Sequence, residues 1–227
     1  MQRASRMMAI SVGALSFGLS SHRGAQTGDP PTAPKVYDAS MPREQQMALA
    51  MSAAPEGVSS AATIYVLGPR GYEKAREGTN GYNCFVYRSF VNPTETAVGP
   101  MCLDAEGSRT SLVVYRHMEE LRSSGKSEAE IRADADSGYK TGRFQYPSKL
   151  GLLYMMSSQN RLGPTKDHTT QHFPPHVMIY APNMTARDLG FESASQLADM
   201  PYIGLSKPGT PGNLLIVVPA AADSHPH

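Results

Sequence analysis

Thr63-Ile64-Tyr65-Val66-Leu67, Tyr82-Asn83-Cys84-Phe85-Val86-Tyr87-Arg88 and Met101-Cys102-Leu103 are the three words on which the fold turns. The first two are rich in β-branched and aromatic residues and read as strands. A charged return, Gly71 to Glu77, and Gly78-Thr79-Asn80-Gly81 lie between them. Asn80-Gly81 is a strong hairpin signal, because both residues tolerate the positive φ of a tight turn. Phe90 to Pro100 then reads as a loop, carrying the turn dipeptides Asn92-Pro93 and Gly99-Pro100. Cys84 and Cys102, the two cysteines of the chain, sit in the second and third words. If they bond, they pin these β segments into one unit on which the rest can pack.

Working outward, Met41-Pro42 opens a helix that Ser40 can cap, with Met47, Ala50, Met51 and Ala54 as its buried stripe and Pro55 as its end. Beyond the β unit, Ser108 to Ser123 reads as a helix closed by Gly125. Ser127-Glu128-Ala129-Glu130 is a capping box that starts a second helix, expected to stop at Gly138. Strands follow at Leu150 to Met156, Val177 to Ala181 and Leu214 to Val218, the last fully apolar and expected at the centre of the sheet. Short helical pieces fit Ala186 to Leu189 and Ser193 to Ala198. Strand clusters with one helical block between them predict an α+β single domain, mainly antiparallel, over residues 40–219.

The N-terminus has the form of an export signal over residues 1–27. Arg3 and Arg6 precede an apolar run, Met7 to Leu19, and a small, polar region, Ser20 to Thr27. That run is shorter than the roughly 20 residues a membrane span requires. Pro30, Pro31 and Pro34 mark 28–39 as a flexible linker, and 220–227 reads as a frayed tail. The expected location is periplasmic or secreted. In such an oxidising space two cysteines are most economically a disulfide. Its loop would stabilise the fold by about 3 kcal/mol; the alternative is Cys84 as a free nucleophile.

A net charge of +1 and 18% charged residues leave no electrostatic footprint for nucleic acid. Nucleotide-binding glycine patterns, Gly-x-Ser-x-Gly, His-Glu-x-x-His and Cys-x-x-Cys are missing from the sequence. His168, His172 and His176 recur at four-residue intervals and form a candidate zinc or copper site; Pro174-Pro175 prevents one helix from carrying all three. Tyr65, Tyr72, Tyr82 and Tyr87 either face a ligand or cover the sheet.

Two resemblances add to this reading. His176-Val177-Met178-Ile179-Tyr180 resembles the histidine strand of papain-like hydrolases of the NlpC/P60 kind, which implies a thiol hydrolase with Cys84 as nucleophile and His176 as its base. Cys84, inside an aromatic-rich strand, departs from that family's Asp-Cys-Ser-Gly helix opening. As a whole the chain resembles an uncharacterised family of exported bacterial proteins. The shared words are Ala50 to Pro55, Gly78 to Cys84, Tyr154 to Ser157 and Pro175 to Tyr180. That resemblance implies an exported domain and transfers no catalytic residue. The sequence therefore favours a non-catalytic module for a small molecule or an envelope protein, with the metal and thiol enzymes as alternatives.

Overall fold

The computed structural model describes residues 37–92, 95–163, 171–190, 202–204, 211–212 and 214–217. The expected leader, most of the linker, the helical piece at 193–198 and the tail lie outside them. All the described elements belong to one compact unit within residues 34–227. It is an α+β domain, with α1 (Arg43–Met51) and α2 (Glu56–Ser59) before the first strands and α3 (Ala105–Arg109), α4 (Ser111–Ser123) and α5 (Glu128–Lys140) between strand clusters. The strands are β1 (Thr63–Gly68), β2 (Gly71–Arg76), β3 (Asn83–Asn92), β4 (Glu95–Leu103), β5 (Leu152–Met155), β6 (Arg161–Gly163), β7 (Gln171–His172), β8 (His176–Tyr180), β9 (Tyr202–Gly204) and β10 (Leu214–Val217). They join in the order β2-β1-β3-β4-β5-β8-β10-β9, and β6 branches from β4 and carries β7.

The first hairpin does not turn at Asn80-Gly81. β1 and β2 pair antiparallel through Gly68-Pro69-Arg70-Gly71, where Gly71 takes φ +109°. β3 then lies parallel to β1 on its other side, with Thr63 opposite Asn83 and Ile64 opposite Cys84. Residues 77–82 form the crossing between them. Thr79 and Asn80 amides donate to Ala61 O, and the Asn80 side chain bridges Val58 O and the Tyr82 amide. Gly81 has the positive φ that the sequence demands, but Asn80 does not. A tight hairpin needs both, so the asparagine acts through its amide instead. Gly78 makes the crossing possible: a Cβ there would lie 2.1 Å from Thr63 N.

β3 and β4 pair in antiparallel register from Asn83–Leu103 out to Asn92–Glu95. The stretch read as a loop is thus strand up to Asn92 and again from Glu95, and Gly99-Pro100 lies within β4. Proline is tolerated there because β4 changes partner on its outer side. Thr96 to Val98 pair with β6 and Cys102–Leu103 with β5, leaving Gly99 to Met101 without a described strand on that side.

Register assigns residues to the two faces, because partners across a ladder point the same way. Ile64, Cys84, Cys102, Tyr154, Val177 and Val217 form one row. α1 lies over its first half, with Cys102 Sγ 4.0 Å from Ala50 O. The neighbouring row, Leu103, Leu153, Met178 and Ile216, faces the other way, where α3 and α4 pack. There Phe85 meets Tyr115, with ring centres 5.8 Å apart, and a Cβ on Gly107 would touch Leu103 and Tyr180.

Several boundaries move for local reasons. Pro42 itself stands at the N-cap of α1, while the Ser40 hydroxyl donates to Asp38. Tyr37, read as linker, is buried and donates to Gln46 Oε1, 2.7 Å away. The helix expected at 108–123 divides at Thr110 (φ −116°, ψ −79°). The Asp104 carboxylate caps α3 through the Gly107 amide and also takes the Leu152 amide, tying β5 to the helix. The capping box forms at Ser127 and Glu130, and Gly125 closes α4 with φ +84°. Gly138 does not stop α5; it makes room for Phe144, whose ring a Cβ would meet at 2.3 Å. Gly142, with φ +76°, follows the end of the helix. β10 is not central, since only β9 lies beyond it, and its residues alternate between buried and half-buried. Leu150 is 82% exposed, so the strand expected from that residue begins at Leu152.

Candidate functional site

Three constellations of polar or reactive side chains stand out. The first is the cysteine pair. Cys84 and Cys102 lie directly opposite on β3 and β4, with Cα atoms 4.0 Å apart, and form a disulfide. Both are fully buried. No free cysteine remains. The thiol-hydrolase reading is therefore corrected: the sulfur it requires as nucleophile is bonded to another sulfur. His176 does open a strand, β8, as that resemblance implies.

The second is an ionic network under α4. Glu119, with a side chain only 3% exposed, takes Arg88 Nη2 at 2.6 Å and Arg88 Nε at 3.0 and 3.1 Å. It also receives Arg122 Nη1, and Arg122 reaches on to Glu128 at 2.6 and 3.0 Å. Arg88 Nη1 donates to Tyr37 O at 3.3 Å. Tyr72 beside them donates to Val86 O, and complete burial pushes its hydroxyl pKa well up. One carboxylate thereby joins β3, α4 and the entering chain, and through Arg122 it reaches α5. A cavity of about 10 Å³ lies here, lined by Tyr72, Tyr87, Arg88, Tyr115, Met118, Glu119 and Arg122. That is room for about one water molecule, far below the roughly 300 Å³ at which small-molecule pockets begin. The network's chemistry is cohesion: its charges are spent on each other.

The third is the fork where β4 changes partner. Gly99 packs closely there: a Cβ on it would lie 2.2 Å from Met155 Cε, the flexible end of that side chain. Asn160, fully buried, donates from Nδ2 to Met155 O at 2.7 Å, and its Oδ1 has no hydrogen-bond partner among the described residues. Arg161 is 5% exposed, and burial lowers its pKa. His176 is 6% exposed and stands opposite Met155, with its ring 5.9 Å from that of Phe173. Its Nδ1 lies 2.8 Å from Pro174 O. A carbonyl only accepts, so the proton sits on Nδ1 and the neutral ring keeps its lone pair on Nε2. Burial lowers the His176 pKa, partly opposed by this hydrogen bond.

Of the three histidines read as a metal site, His168 lies outside the described residues. His172 is exposed on β7, opposite Arg161, whereas His176 is buried. Among the described residues no group of three or more His, Cys, Asp and Glu is placed to hold a metal ion. The four hairpin tyrosines do not form one surface. Tyr82 packs on Tyr154, 6.0 Å away on the α1 side, while Tyr65, Tyr72 and Tyr87 lie under Arg116, Phe85 and Tyr115 respectively. Arg88, Glu119, Arg122, Asn160 and Arg161 escape sequence reading. The available signal is Arg88, a cation ending an otherwise uncharged strand word; such a charge, once buried, requires a partner.

Fold and sites together define an α+β domain with a cross-strand disulfide, a buried ionic network and a polar fork. Comparison with protein-family models, curated proteins and solved structures found no match in any of the three.

Proposed function

We propose that this chain is an exported, disulfide-stapled domain, of an uncharacterised family of exported bacterial proteins, that acts as a non-catalytic binding or envelope-associated module. The observation that carries the reading is the buried Cys84–Cys102 bond beneath α1. Disulfides persist in oxidising compartments and are rare in the cytosol. The arginine-led apolar stretch at residues 3–19 supports the same compartment. Among the described residues no helix is long and apolar enough to cross a membrane. For the non-catalytic part, the reasons are the spent thiol pair and a polar network whose charges neutralise one another.

The test is production of the full chain, with its own N-terminus, in a bacterial host, followed by fractionation and intact-mass measurement. The expected product is extracytoplasmic, lacks the N-terminal segment and is lighter by two further hydrogens. A retained N-terminus, or two thiols that alkylate without reduction, would refute export. Hydrolase screening with and without a chelator tests the second half; chelator-sensitive turnover would transfer the assignment to the His168, His172 and His176 reading.

A further inference from the structure

We propose that Asn80-Gly81 is a self-modifying junction, at which the Gly81 amide nitrogen attacks the Asn80 side chain and expels ammonia. The carboxylate left behind unties the crossing between β1 and β3 from α2. This is the single Asn-Gly pair in the sequence. Both residues are exposed, and a Cβ on Gly81 would meet nothing within 4 Å. Glycine therefore leaves the attacking nitrogen open to solvent base, with no side chain beside it. Among the described residues no backbone acceptor takes the Gly81 N–H, whereas the Thr79 and Asn80 amides are both spent on Ala61 O. The electrophile is held in place. Asn80 Oδ1 accepts from the Tyr82 amide at 3.0 Å, and Nδ2 donates to Val58 O at 2.7 Å. The Tyr82 N–H polarises the carboxamide and stabilises the negative charge that gathers on Oδ1 during attack. Nucleophile and electrophile belong to adjacent residues of an anchored segment, so the step is intramolecular.

Water is the one co-reactant. Base takes the Gly81 amide proton, the N–Cγ bond forms, and the Cγ–Nδ2 bond breaks as Nδ2 leaves with a proton as ammonia. The cyclic imide then adds water and opens at either carbonyl, giving aspartate or isoaspartate at position 80. Neither product has a donor for Val58 O, which then faces a second acceptor. Isoaspartate also adds one carbon to the main chain. That carbon enters between Thr79 N to Ala61 O (2.8 Å) and Thr63 N to Tyr82 O (2.9 Å), the hydrogen bonds at the two ends of the crossing.

The test is prolonged incubation of the oxidised full chain in mildly alkaline buffer, then reduction, proteolysis and mass spectrometry. The peptide carrying residue 80 should yield two new species of equal mass, each with NH exchanged for O and with fragments placing the change at that residue. Peptides carrying Asn160 and Asn183 should stay unchanged over the same interval. Hydrogen exchange of the aged protein should show Thr79 protection lowered about fivefold, the scale of one lost hydrogen bond. Amides of the β3–β4 ladder should hold theirs. Asn80→Asp, which installs the carboxylate directly, should show the same loss without ageing. Three results would overturn the proposal. One is an intact Asn80 in the folded protein while the chain unfolded in guanidinium chloride converts, which would mean that the crossing shields the pair. Another is equal conversion at Asn160 or Asn183. The third is full conversion, or Asn80→Asp, with Thr79 protection unchanged.

Discussion

Replacing Glu119 by alanine tests the energetics of the domain most directly. Its carboxylate is 3% exposed and binds two guanidiniums, those of Arg88 and Arg122. After truncation Arg122 keeps Glu128 and Arg88 keeps the Tyr37 carbonyl, but Arg88, its side chain 13% exposed, loses the Glu119 carboxylate. Removing one partner of a buried pair costs about 3–5 kcal/mol. An exposed pair is worth about 0–1 kcal/mol. Against a total stability of roughly 5–15 kcal/mol the difference is easily read. Urea unfolding of the oxidised protein is the assay, with an unchanged m-value showing that the unfolding unit is the same. Adding Arg88→Met should recover part of the loss, giving a coupling of about 1–3 kcal/mol in the double-mutant cycle. A Glu119→Ala loss below about 1 kcal/mol, or a strictly additive cycle, would show that the network is decoration.

Cys84→Ala with Cys102→Ala should lower stability by about 3 kcal/mol while keeping the fold, as measured by denaturant midpoint against the oxidised parent. Gly78→Ala should cost more than Gly99→Ala, because its Cβ meets backbone at Thr63 whereas that of Gly99 meets the flexible end of Met155. Overpacking of about 1–3 kcal/mol at Gly78, seen as a lowered Tm, is the expected scale. Ser127→Ala should cost about 1 kcal/mol as a lost helix cap. In that variant the Glu130 carboxyl, held down at about 2 chiefly by the Ser127 amide and hydroxyl, should titrate higher in an NMR pH series. A depressed carboxyl pKa supports stability above its unfolded value and withdraws that support as pH falls, so the variant should show a shallower acid limb.

Elements whose local chemistry is decisive were legible in the sequence. The Ser127 box, the Gly125 cap, the paired cysteines and the α+β grouping all follow from residue type and spacing. What was not legible depends on partners distant along the chain. Asn80-Gly81 fits a hairpin on local grounds, yet parallel pairing of β1 with β3 turned it into a crossing, with Asn80 held by Val58. Gly99-Pro100 signals a loop until β4 is seen to exchange β6 for β5 at that point. Arg88 and Glu119 lie in separate elements, and no periodicity announces that they meet. Tyrosine spacing in the first strands was equally silent about which face each ring joins.

Both sulfurs sit sealed under α1, with nothing of either exposed. A small thiol reagent cannot attack them in the closed molecule, since exchange demands approach to a sulfur atom. The rate at which such a reagent cuts the bond is consequently a clock for the lifting of that helix. At high reagent concentration the rate should level off at the opening frequency itself, whatever the chemical strength of the reductant.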